Sequence, residues 1–422
     1  MAQFAFSSSG SRIVIIFFDL NKFFFELLQV AIGNRQALTS RPTDEEWELL
    51  YSECEKHALL GIAFCGVERL PKEQFPPFDV AAEWVHDAQV AKERNEKLNA
   101  ECEALTKQLE HDGLWCCILK GQSNLVNYHE HLRDYRTAGD IDVWCVPMRN
   151  GKTGNFLKYK GERGVIEYAL RSARLAGKSV QEVRYHHVDL EGVYPVDVEI
   201  HHRPSFMCSP LRNRRLKNWY KRFEQVNEIA DIDGRTFPVP TTSFNAIYQL
   251  THIYRHLFDE GIGLRQILDY YFVLRRLHIE QGEHSDRTQS IAMWEDSLGR
   301  SVLSNDAIMN ELKQLGMKKF ASAMMYVLQT VFAMLDEYLI CKPNEKEGKF
   351  LLSEIMQAGN FGKYDERIKR VEGSYMKIQC NHAIEKWKHN LRLIAHYPEE
   401  VLWEPIFRVY HFVWRRCELW RV

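Results

Sequence analysis

The chain has 422 residues, 45% of them hydrophobic and 27% charged, so it is long enough for two or three domains and apolar enough to bury a sizeable core, which excludes disorder as its general state. Its 55 Lys and Arg against 57 Asp and Glu leave a net charge of -2, which excludes a global pull toward nucleic acid or an anionic membrane and confines any basic surface to a local patch. The 10 cysteines stand singly, apart from Cys116 and Cys117 in an apolar run, with neither zinc spacing nor a disulfide ladder; this is the usage of reduced, packed thiols in a cytoplasmic protein.

Residues 1–12 are rich in Ser and read as a disordered tail. The stretch from Arg12 to Gly33 is apolar, but Asp19, Asn21, Lys22 and Glu26 interrupt it well short of the roughly 20 apolar residues that a spanning helix needs. A buried amphipathic helix, and no membrane span, is expected there. From Asp44 to Leu70 apolar residues recur at helical spacing, and "RPTDEEW" puts Pro and acidic residues where a helix N-terminus favours them. "PKEQFPPFD" then breaks the chain, and Val80 to His111 is expected as one long helix with Trp84, Val85, Val90, Leu98, Leu105 and Leu109 as its apolar positions. Residues 1–112 therefore form an N-terminal helical module.

At "GLWCCILKG" the period changes: a short continuous apolar run between glycines marks a strand buried on both faces. "DIDVWCV" is a second such strand, and "QSNLVNYHEHLRDY" between them makes a short helix and loop. After Pro147 come a Gly-containing loop and an amphipathic helix near Gly164 to Ala176. "VQEVRYHHVDL" and "YPVDVEIHH", joined by "EGVY", form a β-hairpin. Residues 113–240 are thus a compact mixed α/β core. Residues 241–422 are a helical domain, with Thr242 or Ser243 as the first N-cap and helical patterns through Arg276, Ala307 to Leu339, Lys349 to Gln357, Ser374 to His396 and Pro405 to Trp420. The fold class is α+β, a mixed sheet flanked by helical modules, without internal repeats.

The chemistry concentrates in "RTAGDIDVWCV". On a strand, Asp140 and Asp142 point to one face about 6–7 Å apart along it, so their carboxylates can converge on one cation. Two such acids at the end of an apolar strand are costly unless a positive charge compensates them, and Mg²⁺ or Mn²⁺ is the usual partner of hard oxygen ligands. Gly139 before them allows close approach of a ligand. "VDVEIHH" offers a third acid, with Asp197, Glu199 and His201 on one face and either acid able to serve; His201 is read as a ligand or as the group that orients a neighbouring carboxylate. Two metals about 3.5–4 Å apart suit in-line phosphoryl displacement. The turn "ILKGQS" exposes backbone N–H groups, with Lys120 and Ser123 as further donors to a phosphate chain. The second Asp-Ile-Asp, Asp231 to Asp233 in "ADIDGRTFPVP", has the composition of a hairpin turn and is expected to carry no chemistry. His129, His131, His186 and His187 lack zinc spacing and are expected as packed side chains. Arg265 and Asp269, four apart on a helix, suffice for a helix-surface ion pair. "LRNRRLKNWYKRF" interleaves bases and aromatics, a pattern seen in nucleic-acid binding, but reads first as a solvated helix face.

"LKGQSNLVNYHEHLRDYRTAGDIDVWCV" followed by "VDVEIHHRPS" resembles the nucleotidyltransferase fold, the superfamily of polymerase-β-like enzymes, and within it the bacterial group labelled uncharacterised nucleotidyltransferase. Lys120 and Gly121 match that group's first motif, Arg136, Gly139, Asp140 and Asp142 its second, and Glu199 with His201 its third. "HIYRHLFDEGIGLRQILDYY" and "AGNFGKYD" extend the similarity. In many superfamily members the paired acids follow the Gly-Ser turn more closely than Asp140 follows Gly121, which leaves the phosphate contacts, Ser123 included, open. The resemblance implies transfer of a nucleoside monophosphate from an NTP, with ATP expected, to an unidentified hydroxyl-bearing acceptor, with release of pyrophosphate. It implies Asp140, Asp142 and Glu199 as catalytic metal ligands, Asp197 as the alternative third acid, and Lys120, Gly121, Ser123, Arg136 and Gly139 as nucleotide contacts. It raises a structural or cleft-closing role for Arg265 and Asp269. The other readings are a nucleotide-binding regulator without activity and an RNA- or tRNA-directed transferase. The sequence does not fix the oligomeric state.

Overall fold

The computed structural model of the chain describes residues 21–148, 160–178, 182–285, 293–295, 301–369 and 371–421. The expected tail, the start of the first helix and the Gly-containing loop after Pro147 lie outside these residues. The chain is α+β, with a small mixed sheet embedded among helices.

Residues 21–31 form α1, whose Phe24, Leu27 and Leu28 are fully buried. Helix α2 (Asp44–Lys56) starts with a capping box: the Thr43 side chain accepts from the Glu46 amide, and the Glu46 side chain accepts from the Thr43 amide. The single helix expected to Leu70 is instead two, since α3 (Leu60–Arg69) follows a break at which Ala58 adopts φ 56°. That reversal turns His57 inward to stack on Phe24 at 5.5 Å, an interaction that no periodicity encodes. Helix α4 (Phe78–His111) is the expected long helix of 34 residues. Val85 and Val90 point outward, 54% and 49% exposed, while Trp84, Leu98, Cys102, Leu105 and Leu109 are buried.

Strands β1 (Leu114–Ile118), β2 (Ile141–Pro147), β3 (His187–Asp189) and β4 (Val198–His201) form one sheet in the order β1-β2-β4-β3, with β2 and β4 parallel and the other pairs antiparallel. Between β1 and β2 lie a 3₁₀ turn (Gly121–Asn127) and α5 (Glu130–Arg133); α6 (Glu162–Leu175) lies between β2 and β3. The period of two sorts the strand residues. Leu114, Cys116, Ile118, Val143, Cys145, Val198 and Ile200 join a core with α4 and α6, whereas Trp115, Cys117, Leu119 and Trp144 join the larger core built by the helices. After α7 (Pro210–Lys221), a second sheet is the hairpin of β5 (Glu228–Ile232) and β6 (Arg235–Val239).

Helix α8 (Thr242–Asp259) covers the sheet's second face, stacking Phe244 on Trp144 at 5.7 Å. Its N-cap is Thr241, whose side chain accepts from the Phe244 amide, and not Thr242 or Ser243, which lie inside the first turn. Helix α9 (Leu264–Ser285) is followed by a short hairpin, β7 (Met293–Glu295) and β8 (Ser301–Leu303), which the sequence reading misses. Then come α10 (Asn305–Gln314), α11 (Lys318–Phe332), α12 (Glu345–Ala358), α13 (Tyr375–Leu393) and α14 (Pro398–Arg421). Helix α14 begins at Pro398 and runs through Pro405, the expected start. The larger core draws on residues from Phe23 to Val401, so the helices before and after the sheet share it. Among the described residues, no helix is long and apolar enough to cross a membrane.

Candidate active site

Where β1 ends, Gly121 takes φ +63°, a conformation costly for any residue with a Cβ, and lies close to the Asp140 carbonyl. The β1–β2 pairing reaches past the strand end, since the Leu119 amide donates to the Asp142 carbonyl at 2.9 Å. These two features carry Lys120 over the acids, with its Nζ 3.0 Å from Asp142 Oδ1. The parallel β2–β4 register sets Asp142 beside Glu199 on the same face of the sheet. Asp197 lies one position before β4, exposed, and contributes its backbone carbonyl to the Ile141 amide at 2.9 Å. Of the two candidate third acids, Glu199 is therefore the one whose carboxylate stands next to Asp142.

His201 binds the two acids together, with Nε2 2.9 Å from Asp142 Oδ1 and 3.2 Å from Glu199 Oε2, while Nδ1 sits 3.2 Å from the Arg203 carbonyl. Burial works against charge on this ring, but hydrogen bonds to Asp142 and Glu199 outweigh it and push its pKa up to about 9. Burial likewise opposes ionisation of Glu199, yet His201, His187 and Lys120 bring it down to about 2. Burial alone would lower the Lys120 ammonium; Asp142, Asp140 and Glu199 overcome that and raise it.

Asp142 is 0% exposed, and its Oδ2 has no hydrogen-bond partner. A buried carboxylate oxygen left bare is expensive, so the position calls for a ligand. The donor atoms of Asp142, Glu199 and His201 lie within 4.8 Å of one another; with both His201 nitrogens turned to oxygen acceptors, the carboxylate oxygens are the donors left for a divalent cation, and His201 orients them. Half-buried Asp140 and Lys120 line a cavity of about 690 Å³ together with His252 and His256 of α8 and Phe361. That volume is within the usual range for a nucleotide-sized ligand. Burial, then the neighbouring Lys120, depress His256 to about 3 and His252 well below its usual value, so both rings face the cavity neutral.

The remaining sequence candidates fall in three places. Arg136 is buried and closes both arms on Asp269, Nε to Oδ1 at 2.7 Å and Nη2 to Oδ2 at 2.6 Å, and the Tyr128 hydroxyl also donates to Oδ1. Arg265 Nη1 donates to the Thr137 carbonyl at 2.9 Å and lies over Gly139. The expected helix-surface pair of Arg265 and Asp269 is thus corrected: both are buried, and Asp269 pairs with Arg136, because α9 packs onto the entry to β2 and not against solvent. Ser123 is buried inside the 3₁₀ turn with an unpartnered hydroxyl, and its neighbour Asn124 faces the small recess beside Gly121 and Asp142.

The second Asp-Ile-Asp is a turn, as expected. Asp233 and Gly234 take φ 52° and 79°, and the Gly234 amide donates to Asp231 Oδ1 at 3.0 Å. The basic-aromatic segment, α7 with the residues just after it, presents the expected solvated face, with Arg214, Arg215, Lys221 and Arg222 exposed, and packs its other side. Trp219 and Tyr220 are buried, Arg215 donates to the Gln314 carbonyl, Arg212 pairs with Glu399, and Lys217 and Arg222 pair with Glu162 and Glu311. Arg212, Arg215, Lys217 and Arg222 thus link this segment to other helices.

His186 and His187, read from sequence as packing, border the cavity, as do His252 and His256, which the sequence reading passed over. The four-residue spacing in "THIYRHLF" was the available signal.

A family model described as uncharacterised nucleotidyltransferase matches residues 43–295, more than half of the 422-residue chain. No curated protein and no solved structure matches it.

Proposed function

The chain belongs to the uncharacterised nucleotidyltransferase family, and from that premise we propose that it moves a nucleoside monophosphate from an NTP to a hydroxyl-bearing acceptor, releasing pyrophosphate. The acceptor oxygen bonds to the α-phosphorus, the bond to the bridging oxygen breaks, and the hydroxyl proton leaves to water. The observation that carries this reading is the buried Asp142 carboxylate, in register with Glu199 and bare at one oxygen. Asp140, Asp142 and Glu199 are the residues that would hold Mg²⁺ or Mn²⁺, which when bound supplies compensation for phosphate charge.

The protein's own groups then divide the work. Lys120 and the backbone of the Gly121 turn receive the phosphates. His201 fixes the rotamers of Asp142 and Glu199 through Nε2 and is itself aimed by the Arg203 carbonyl. Arg136, committed to Asp269, acts as a positioning residue that locks the entry to β2 to α9. His252, His256 and Phe361 line the cavity that Lys120, Asp140 and Glu199 also line.

Incubating the full chain with Mg²⁺ and each labelled nucleoside triphosphate in cell extract should yield a labelled acceptor and free pyrophosphate. Replacing Asp140 and Asp142 together by Asn should abolish both products. Triphosphate binding with no pyrophosphate in any extract would leave a non-catalytic nucleotide-binding regulator in its place.

A further inference from the structure

The strand register that sets Asp142 beside Glu199 continues one strand further. Antiparallel pairing of β3 with β4 puts Asp189 opposite Glu199 and His187 opposite His201. One face of the sheet therefore carries a row of three acids across three strands, Asp142, Glu199 and Asp189, and behind it a row of two imidazoles, His201 and His187.

The far half of this grid is not used by the acid site above. His187 Nδ1 is 3.3 Å from Glu199 Oε2, and His187 Nε2 is 3.0 Å from Asp189 Oδ1. His187 is only 4% exposed, yet its Nε2 finds no hydrogen bond of acceptable angle, even with that oxygen so near. A ring nitrogen and a carboxylate oxygen this close with no hydrogen bond between them are two donors that one cation can take together. Arg184 Nε takes the other Asp189 oxygen, Oδ2, at 3.3 Å, which leaves Oδ1 free for that cation. One donor atom each from His187, Asp189 and Glu199 lies within 4.8 Å of the others.

We infer that His187, Asp189 and Glu199 form a second cation site, distinct from the one at Asp142, that takes a divalent ion of the transition series, with Glu199 shared between the two. Mg²⁺ prefers an all-oxygen, largely hydrated shell, whereas an imidazole beside two carboxylates suits Mn²⁺, Zn²⁺ or Co²⁺. A carboxylate shared by two cations keeps Glu199 ionised and fixed in rotamer, so the second ion would stiffen the ligand set of the first. The site stands on geometry and does not require the transfer chemistry proposed above.

Co²⁺ serves as probe because its visible absorption reports its coordination geometry, which changes when imidazole and carboxylates replace water. Metal-stripped full-length protein should take up one Co²⁺ with such a spectrum and keep it against about a hundredfold excess of Mg²⁺. His187→Ala and Asp189→Asn should each weaken that retained Co²⁺ by at least about tenfold, and Asp142→Asn should keep it. Asp189 is partly exposed, so its Asn variant tests the site even if the buried His187 change disturbs folding, which near-ultraviolet circular dichroism would reveal. Displacement of all Co²⁺ by Mg²⁺, full retention in Asp189→Asn, or loss in Asp142→Asn alone would each overturn the inference. Pyrophosphate release is not read, so a failure here is separable from a failure of the transferase reading.

Discussion

Two cations reach one oxygen of Asp142, Lys120 from the end of β1 and His201 from β4, while the other oxygen has none. Active-site acids often destabilise the fold that holds them, because their charges are buried without compensation. Here the compensation comes from the chain itself, and removing the acid takes from buried His201 and half-buried Lys120 the partner they share, leaving them Glu199 and Asp140. Asp142→Asn should therefore lower stability in the absence of divalent ions, by about 3–5 kcal/mol for breaking a buried pair at one end. Urea denaturation of metal-free wild type and variant would measure it. An unchanged midpoint would mean that Lys120 and His201 do not both carry charge against Asp142, and the electrostatic account of the site would fall.

At the scale of elements, the two Asp-Ile-Asp copies show how context assigns meaning. The copy in β2 is flanked by strand partners on both sides; the copy in β5 runs into a left-handed turn at Asp233 and Gly234. A Cβ added at Gly234 would meet nothing within 4 Å, so Gly234→Ala should cost only backbone strain, about 1–2 kcal/mol. Thermal unfolding should register that loss, with triphosphate turnover unaltered; an effect on turnover would link this hairpin to the site. The continuous apolar runs of β1 and β2 made those strands legible in the sequence, and the Asp-Gly pair did the same for the β5–β6 turn. The three-residue strands β7 and β8 are too short to carry a period, and the break at Ala58 depends on where His57 is buried. Asp142 and Glu199 were legible because strand alternation groups Asp140 with Asp142 and Asp197 with Glu199 and His201; their meeting across strands depends on the β2–β4 register. His252 and His256 were not, since their meaning arises only when α8 lies across the sheet that carries the acids.

The whole molecule closes the cavity with parts far apart in the chain. The cavity lining takes in Lys120 and Glu199 and also Phe361 and residues of α14 such as Phe407 and His411, beyond the 43–295 span of the family match. A buried tie that seats α14 there is Arg255 of α8, whose Nη1 donates to Glu400 Oε1 at 2.6 Å while Nη2 spans both oxygens of Asp259 at 2.8 Å. Glu400 also accepts from the Cys208 amide at 2.7 Å, so one buried carboxylate joins three segments. Removing it leaves a buried guanidinium half-paired and an amide bare, which sets the cost of Glu400→Ala at about 3–5 kcal/mol. The consequence should extend beyond stability. With α14 loosened, its part of the cavity lining loses an anchor, and triphosphate KM should rise more than kcat falls, because Lys120, Asp142 and Glu199 are untouched. Glu400→Gln retains an acceptor for the Cys208 amide and Arg255 and should recover part of both losses. If Glu400→Ala matched wild type in unfolding midpoint and KM, α14 would be a passenger on the cavity and its wall would have to be sought in Phe361 and α8 alone.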